Sequence, residues 1–366
     1  MKKNLIITGI GATLLTTGII GGIWSGINVM PKFINDSRIA DEKYQEKETL
    51  FNEALSLTGL KLNLPNSDVT IKKSENQNII IERVGNKEVS SFELKEENGV
   101  LSVNEIAKQE EHRELKNIDD LVQDFVDDIH KRYYSSVTIY IPNSMDLDIK
   151  CDNFVDIDDS IEATNLNITS NNGFHIHELA KIENLNVSSE SHLNLEVRSL
   201  LGRKNVNINA NSITIDSENE DLIIDDIENL IPEKLSIKAS GLDYENVRML
   251  SHIPLAKNLK ISSSSNSEIK LPIMDYDFNF DIKANQGIDF NHMRDNEYYY
   301  NTELEKYFLD DASQQLKEFK GYLITPTNNK VENQLNETTP TSETVENQAN
   351  NKGFSVTIDS PSVSFR

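Results

Sequence analysis

The chain has 366 residues, a formal net charge of −24 and a single cysteine. The acidic balance excludes a general nucleic-acid-binding surface, because binding to phosphates requires clustered Lys and Arg. The lone Cys151 excludes an internal disulfide, and we expect it to be a buried or half-buried packing residue.

An uncharged apolar run, residues 5–30, follows Lys2 and Lys3 and ends before Pro31. A helix of this length would measure about 39 Å, which exceeds the roughly 30 Å thickness of a hydrocarbon core. The lysines before the run and the acidic stretch after it place residues 1–4 in the cytoplasm and the main domain outside. The sequence therefore predicts a single-pass anchor in the cell membrane. A cleaved signal peptide is the alternative, although its apolar core would be shorter.

Three glycines of this run, Gly18, Gly22 and Gly26, are spaced four residues apart and share one face of the predicted helix. This spacing allows two helix backbones to approach closely, which is one route to a homodimer through the membrane helix. Incidental use is the alternative, because glycine is common in membrane spans.

Residues 31–57 are charged with scattered apolar positions, which is typical of a juxtamembrane stalk or helix. A β-rich opening region follows at 58–104, with alternating strands separated by Asn-Gly and Gly-Asn turns. Apolar residues three and four apart then predict a helical insertion at 105–133, with an amphipathic helix over 113–132. Its acidic polar face favours packing on the strands over binding to a membrane surface.

Residues 134–293 repeat one pattern: a short strand reading apolar, polar, apolar, then a polar turn, then a second such strand. The apolar pairs are Leu166 and Ile168 with Phe174 and Ile176, Leu185 and Val187 with Leu193 and Leu195, Val206 and Ile208 with Ile213 and Ile215, Leu235 and Ile237 with Leu242 and Tyr244, Leu259 and Ile261 with Ile269 and Leu271, and Phe278 and Phe280 with Ile288 and Phe290. Residues two apart share one face of a strand, so these apolar side chains are predicted to point inward.

The first strands of successive pairs are separated by 19, 21, 29, 24 and 19 residues. One such coil cannot bury its apolar face alone, whereas stacked coils share a continuous core. The sequence therefore predicts a mainly β protein, a β-solenoid or β-helix of irregular coils with two helical insertions, preceded by the single N-terminal transmembrane helix. An antiparallel sandwich is the alternative, because it also uses short alternating strands.

Helical spacing returns at 294–324 and predicts the second insertion. Residues 325–353 contain no aromatic residue and repeat the tetrapeptide VENQ, which indicates a flexible polar loop. Strict alternation at 354–366 predicts terminal strands that return to the sheet and close the structure.

His175 and His177 share the outward face of a predicted strand, with Glu178 beside them and His192 one coil later. Two histidines and a carboxylate can hold a metal, but no third ligand has a diagnostic spacing. We therefore expect solvated surface histidines and no metal or other cofactor. The candidate ligands of the alternative are His175, His177, Asp156 and Asp158.

Acidic residues form two clusters, and basic residues lie near them. The acidic residues are Asp152, Asp156, Asp158 and Asp159, then Asp225, Asp226 and Glu228; the basic ones are Arg198, Arg203 and Lys204. Such groups could bind Ca²⁺ or act as acid and base on a polysaccharide, but a solvated acidic face is the expectation. The sequence contains no phosphate loop, G-x-S-x-G, HExxH or paired CxxC motif. We therefore expect a protein that is not an enzyme.

The run from VTIYIPNSMDLDIK through VDIDDSIEATNLNITSNNGFHIHELAKIENLNVSS resembles the bacterial putative-adhesin family, a domain of unknown function. Upstream, LKLNLPNSDVTIKKSENQNIIIE and VLSV are similar to the opening strands of that family. The resemblance covers roughly residues 57–290 and the final strands. It implies a β-solenoid, attachment to a membrane segment, and roles in adhesion or envelope-stress signalling, with no catalytic residues. This sequence departs from the family in having few turn glycines after Gly173 and in its helical insertions.

These observations together predict a membrane-anchored, extracytoplasmic, non-enzymatic interaction surface in the bacterial cell envelope, either adhesin-like or a regulatory scaffold. The expected partners are the membrane, through the N-terminal helix, and an envelope protein or cell-wall glycan. The alternative is a carbohydrate-active enzyme, a polysaccharide lyase or hydrolase on a β-helix. Joint substitution of Asp156, Asp158 and Asp159 would separate the two, because only an enzyme would lose chemistry.

Overall fold

The computed structural model describes residues 47–54, 57–85, 90–107, 135–142, 144–177, 179–217, 227–273, 275–289, 316–323 and 353–365. Within these residues the chain is mainly β, as the alternating pattern predicts. The described helical elements are single turns, the 3₁₀ turn Val197–Leu200 and α1 (Ile227–Leu230).

The strands follow in chain order. The first seven are β1 (Lys47–Glu53), β2 (Gly59–Asn63), β3 (Asp68–Lys73), β4 (Ile79–Val84), β5 (Ser90–Glu97), β6 (Val100–Ala107) and β7 (Ser136–Ile141). The next eight are β8 (Asp146–Cys151), β9 (Val155–Ile157), β10 (Glu162–Ser170), β11 (Phe174–Ile176), β12 (Lys181–Ser188), β13 (His192–Leu195), β14 (Arg203–Ala210) and β15 (Ser212–Asp216). The last seven are β16 (Lys234–Ala239), β17 (Glu245–Leu250), β18 (Asn258–Ser263), β19 (Asn266–Lys270), β20 (Phe278–Asp289), β21 (Glu318–Leu323) and β22 (Phe354–Phe365).

The chain divides into two compact units. Unit 1 comprises Met1–Leu50, Glu82–Ser91 and Ile106–Val137, and unit 2 comprises Phe51–Ile81, Phe92–Glu105 and Thr138–Arg366. In unit 1, the buried Arg83 places its Nε 2.9 Å from Glu48 Oε2 and donates from Nη1 to the carbonyl oxygen of Ser90 at 3.0 Å. A buried charge requires such partners, because it has lost its hydration.

In unit 2 the chain returns to the same sheet once per coil. Strands β8, β10, β12, β14, β16 and β18 pair in parallel, each with the next, and β2 pairs with β8. The second strands of the coils also pair in parallel, β3 with β9 and β9 with β11, and then β13, β15, β17 and β19 in turn. Equivalent positions of successive coils therefore lie side by side.

The core consists of columns of like residues. Leu147, Leu166, Leu185, Val206 and Leu235 lie in register, and each is at most 1% exposed. Alternation sends every second side chain inward, and the parallel register stacks these side chains on one another. The predicted spacings of 19, 21, 29 and 24 residues between neighbouring first strands are confirmed by this register.

The predicted inward pair Leu242 and Tyr244 is wrong. These side chains are 102% and 86% exposed, and they precede β17. The inward residues of that coil are Val247 and Met249, both 0% exposed. The register of β17 against β19 shifts between Glu245 and Val247, so the strand begins later than the local pattern suggests.

The C-terminal strand returns to the sheet, as predicted, but it does not close it. β22 pairs in parallel with β18 and β19 on one side and with β20 on the other. Leu259 therefore pairs with Val356 of β22, and Val356 pairs in turn with Phe280 of β20. On its other side β20 pairs antiparallel with β21.

Strands also replace parts of the predicted helical segments. β1 lies in the predicted stalk or helix at 31–57, β6 extends to Ala107 in the first insertion, and β21 occupies the end of the second. Phe319 of β21, assigned by its spacing to a helix, is 4% exposed in this strand. The rest of both insertions, the anchor at 5–30 and the loop at 325–352 lie outside the described residues. Among the residues that are described, no helix has the length and apolarity needed to span a bilayer.

Candidate functional site

A first ladder of amide side chains runs across the outer face of β8, β10, β12 and β14. Asn165 Nδ2 donates to Asp146 Oδ2 at 3.0 Å, Asn184 Nδ2 to Asn165 Oδ1 at 3.1 Å, and Asn205 Nδ2 to Asn184 Oδ1 at 2.9 Å. Each of these residues directly precedes a buried, inward-pointing residue of its strand, so alternation directs its side chain away from the core.

A second ladder lies two residues further along the same strands. Asn186 Nδ2 donates to Asn167 Oδ1 at 2.9 Å, and Asn207 Nδ2 donates to Asn186 Oδ1 at 2.9 Å. Asp148 stands in register with Asn167 at the start of this column. The two amide ladders thus form one flat polar face of repeated, mutually fixed groups.

The ladders leave hydrogen-bonding capacity facing outward. A side-chain amide offers two N–H donors and two acceptor lone pairs, and the ladder bonds of Asn184 and Asn186 use one donor and one acceptor each. The remaining groups repeat at about the 4.8 Å spacing of paired strands. Such a face can bind a hydroxyl-rich polymer without rearranging.

A third polar row occupies the corner between first and second strands. Asn171 Nδ2 donates to Asp152 Oδ1 at 3.2 Å, and the backbone N–H of Glu190 donates to Asn171 Oδ1 at 3.1 Å. Asn211 Nδ2 donates to the carbonyl oxygen of Glu190. Successive corners are therefore joined by side chains as well as by the sheet.

The structure brings two of the candidate metal ligands together. His175 of β11 lies opposite Asp156 of β9, and Nδ1 is 2.9 Å from Asp156 Oδ1. His177 Nδ1 instead accepts the backbone N–H of Leu179 at 3.3 Å, and Asp158 Oδ1 accepts that of Asp159 at 2.7 Å. No group of three or more His, Cys, Asp or Glu positioned to hold a metal occurs within the described ranges.

Arg203, one of the basic residues considered for a lyase, is buried and holds the backbone of neighbouring segments. Arg203 is 3% exposed, and its guanidinium donates to the carbonyl oxygens of Ala180, Leu201 and His177. It therefore ties the ends of two coils together and does not face solvent. Asp225, Asp226, Glu178 and the glycines Gly18, Gly22 and Gly26 lie outside the described residues.

Cys151 is buried, as the sequence predicts. Its Sγ donates to the carbonyl oxygen of Ser67 at 3.1 Å. Burial raises the pKa of the thiol to about 12, so it stays protonated at neutral pH and is a poor nucleophile.

The ladders and the exposed pair Leu242 and Tyr244 are features that the sequence reasoning missed. A signal for the ladders is present, because Asn occupies the position between the two inward residues in LNI, LNV and VNI of three successive coils. Nothing local distinguishes LDY at 242–244 from an inward strand pair, since it has the same alternation.

No family model and no curated protein matches the chain. The crystal structure of a putative adhesin from Bacteroides fragilis NCTC 9343 is similar at 13% identity, with 62% of this chain and 90% of that one covered and a TM-score of 0.37. One from Parabacteroides merdae ATCC 43184 shares 12%, covering 62% and 88%, with a TM-score of 0.32. A putative cell adhesion protein from Clostridium sporogenes ATCC 15579 shares 10%, covering 87% and 97%, with a TM-score of 0.19. These TM-scores are low, so the description of the fold rests on the strand pairing of this chain.

Proposed function

We propose that this protein is a membrane-anchored, extracytoplasmic β-solenoid of irregular coils that serves as a non-enzymatic interaction surface in the bacterial cell envelope. The parallel register of unit 2 supports the solenoid. The apolar run at 5–30, preceded by two lysines, supports the anchor and its orientation. The role is adhesin-like; an envelope-stress scaffold would use the same surface with a different partner.

The single observation that carries the binding role is the pair of amide ladders. Each Asn is held by its neighbours before any ligand arrives, so little side-chain entropy is lost on binding. A cell-wall glycan offers a repeating series of hydroxyl and amide groups that match such donors and acceptors. We therefore assign cell-wall glycan as the ligand of the ladder face, the polar face formed by the two amide ladders.

Co-sedimentation of the full-length chain with purified cell-wall sacculi tests this function. We expect binding to weaken about tenfold or more when the second ladder is removed, because each lost hydrogen bond is worth about 1 kcal/mol. The ladder variant combines Asn167→Ala, Asn186→Ala and Asn207→Ala. Its matched control alters the next outward column of the same strands, with Thr169→Ala, Ser188→Ala and Asn209→Ala.

Circular dichroism should show both variants folded, since every altered position points outward. Equal binding by wild type and a folded ladder variant would contradict the proposal. Shortening of the glycan during incubation would also contradict it, and would favour the carbohydrate-active enzyme.

A further inference from the structure

Two large apolar side chains project from the corner between β16 and β17. Leu242 is 102% and Tyr244 is 86% exposed, whereas the other exposed large apolar residues of the described chain range from 42% to 64%. Isolated exposed apolar residues are common, but two on one short loop form a local apolar contact point. We call residues 242–244 the apolar tip.

The backbone beside the tip is fixed on its N-terminal side by Gly241. Its N–H donates to the carbonyl oxygen of Asn211 at 2.8 Å, and its own carbonyl oxygen accepts from Asn246 Nδ2 at 2.8 Å and from Ser264 Oγ at 2.7 Å. A Cβ at position 241 would lie 2.7 Å from the Asn211 oxygen, so only glycine fits this seat. The loop is therefore clamped between the corners of the preceding and following coils.

The C-terminal side of the tip is fixed as well. Ser265 Oγ donates to the carbonyl oxygen of Tyr244 at 2.7 Å, and the backbone N–H of Asn266 donates to the same oxygen at 3.3 Å. A clamped loop holds its side chains in solvent instead of letting them collapse onto the surface. Binding through such a loop costs little ordering entropy.

The chemistry of the tip points to a protein partner. An aliphatic side chain such as Leu242 gains from binding only when it leaves water for an apolar pocket, and Tyr is among the residues that dominate protein interfaces. A polysaccharide offers no such pocket. The tip therefore differs in chemistry from the all-polar ladder face.

Charge decides the character of that partner. The exposed Asp243 lies between the two apolar residues, Asp152 and Glu190 lie in the same series of corners, and the chain carries a net charge of −24. A second copy of the chain would be repelled, whereas a basic rim would be attracted.

We propose that the apolar tip is a docking point for a partner protein whose receiving surface is an apolar pocket rimmed by Lys or Arg. This inference goes beyond the glycan-binding function, because it concerns a different surface and a different class of partner. Loss of one activity would leave the other measurable.

Selection from a displayed library of random peptides on the full-length chain tests the proposal. We expect the selected peptides to combine aromatic or aliphatic residues with Lys or Arg. Their affinity should fall about tenfold or more on a variant carrying Leu242→Ser and Tyr244→Ser. The control variant Leu179→Ser alters another exposed corner residue, 64% exposed, and should bind the peptides as the wild type does.

Selected peptides that bind the double variant as tightly as the wild type, or that lack basic residues, would overturn the proposal. Two further results would overturn it by naming another occupant. Self-association of the wild type but not of the double variant in sedimentation equilibrium would indicate a second copy. Weaker binding of the double variant to sacculi would indicate a glycan. Because both substituted side chains are exposed, circular dichroism should show a folded double variant.

Discussion

Burial controls the chemistry of Cys151. Its thiol has a pKa raised from 9.0 to about 12, chiefly because burial disfavours the thiolate. In the unfolded chain the same thiol ionises near its ordinary value, so above pH 9 the unfolded state releases a proton that the folded state retains. The stabilising contribution is therefore complete below pH 9 and is lost progressively as the pH rises towards 12.

We predict that Cys151→Ala makes the protein less sensitive to alkali. Between pH 9 and pH 10 the free energy of unfolding of the wild type should fall by about 1 kcal/mol more than that of the variant, since one pKa unit corresponds to about 1.4 kcal/mol. Urea unfolding at the two pH values measures this difference. If the free energy of unfolding fell by the same amount in both proteins between these pH values, Cys151 would ionise alike in the folded and unfolded states.

Individual residues also show which side-chain positions can be predicted from the sequence and which cannot. The inward columns at Leu166, Leu185 and Val206 follow from alternation alone, because a strand's period depends only on neighbouring residues. Leu242 and Tyr244 have the same alternation and yet are exposed. The loop that carries them is held by the contact of Gly241 with Asn211, a residue 30 positions away. A local pattern of apolar and polar residues does not predict contacts between residues so far apart in the sequence.

At the level of elements, β22 lies between two parts of the C-terminal region, with β18 and β19 on one side and β20 on the other. Its inward residues Val356, Ile358, Val363 and Phe365 are each 1% exposed, and the ring of Phe365 lies 5.7 Å from that of Phe280. The alternation of FSVTIDSPSVSF predicts the strand itself. It cannot predict the position between β18 and β20, because parallel pairing joins segments far apart in sequence.

We predict that Ile358→Ala lowers the free energy of unfolding by about 2–5 kcal/mol, because it leaves a cavity between β18 and β20. Thr357→Ala, at the neighbouring outward position, should change it by about 0.5 kcal/mol or less. Chemical denaturation measures both. A similar, small effect of the two substitutions would mean that β22 is not part of the core.

For the molecule as a whole, the proposed orientation in a membrane rests on the charge distribution and the apolar run. Every acidic residue of the chain, whose net charge is −24, lies after residue 30, so the domain would be repelled by anionic lipid headgroups and attachment to a membrane would depend on residues 5–30. We propose that residues 1–4 and the main domain lie on opposite sides of the membrane.

We predict that a proximity-labelling enzyme inserted within residues 331–345 labels extracytoplasmic proteins, whereas the same enzyme fused before Met1 labels cytoplasmic ones. The first site lies in the stretch that the sequence predicts to be a flexible polar loop. Protease added to intact spheroplasts should cleave the first fusion protein and spare the second enzyme. Labelling of one compartment by both fusions would contradict the predicted orientation.

The position of β22 has a consequence for synthesis. β20 ends at Asp289 and β22 begins at Phe354, so 64 residues are made after β20 before its parallel partner exists. At about 5–20 residues per second, this takes several seconds. Until β22 is made, β18 and β20 each lack their partner on one edge, and an unpaired strand edge is a site for incorrect pairing. The native pairing of β18 and β20 with β22 can therefore be completed only after residues 354–365 have been made.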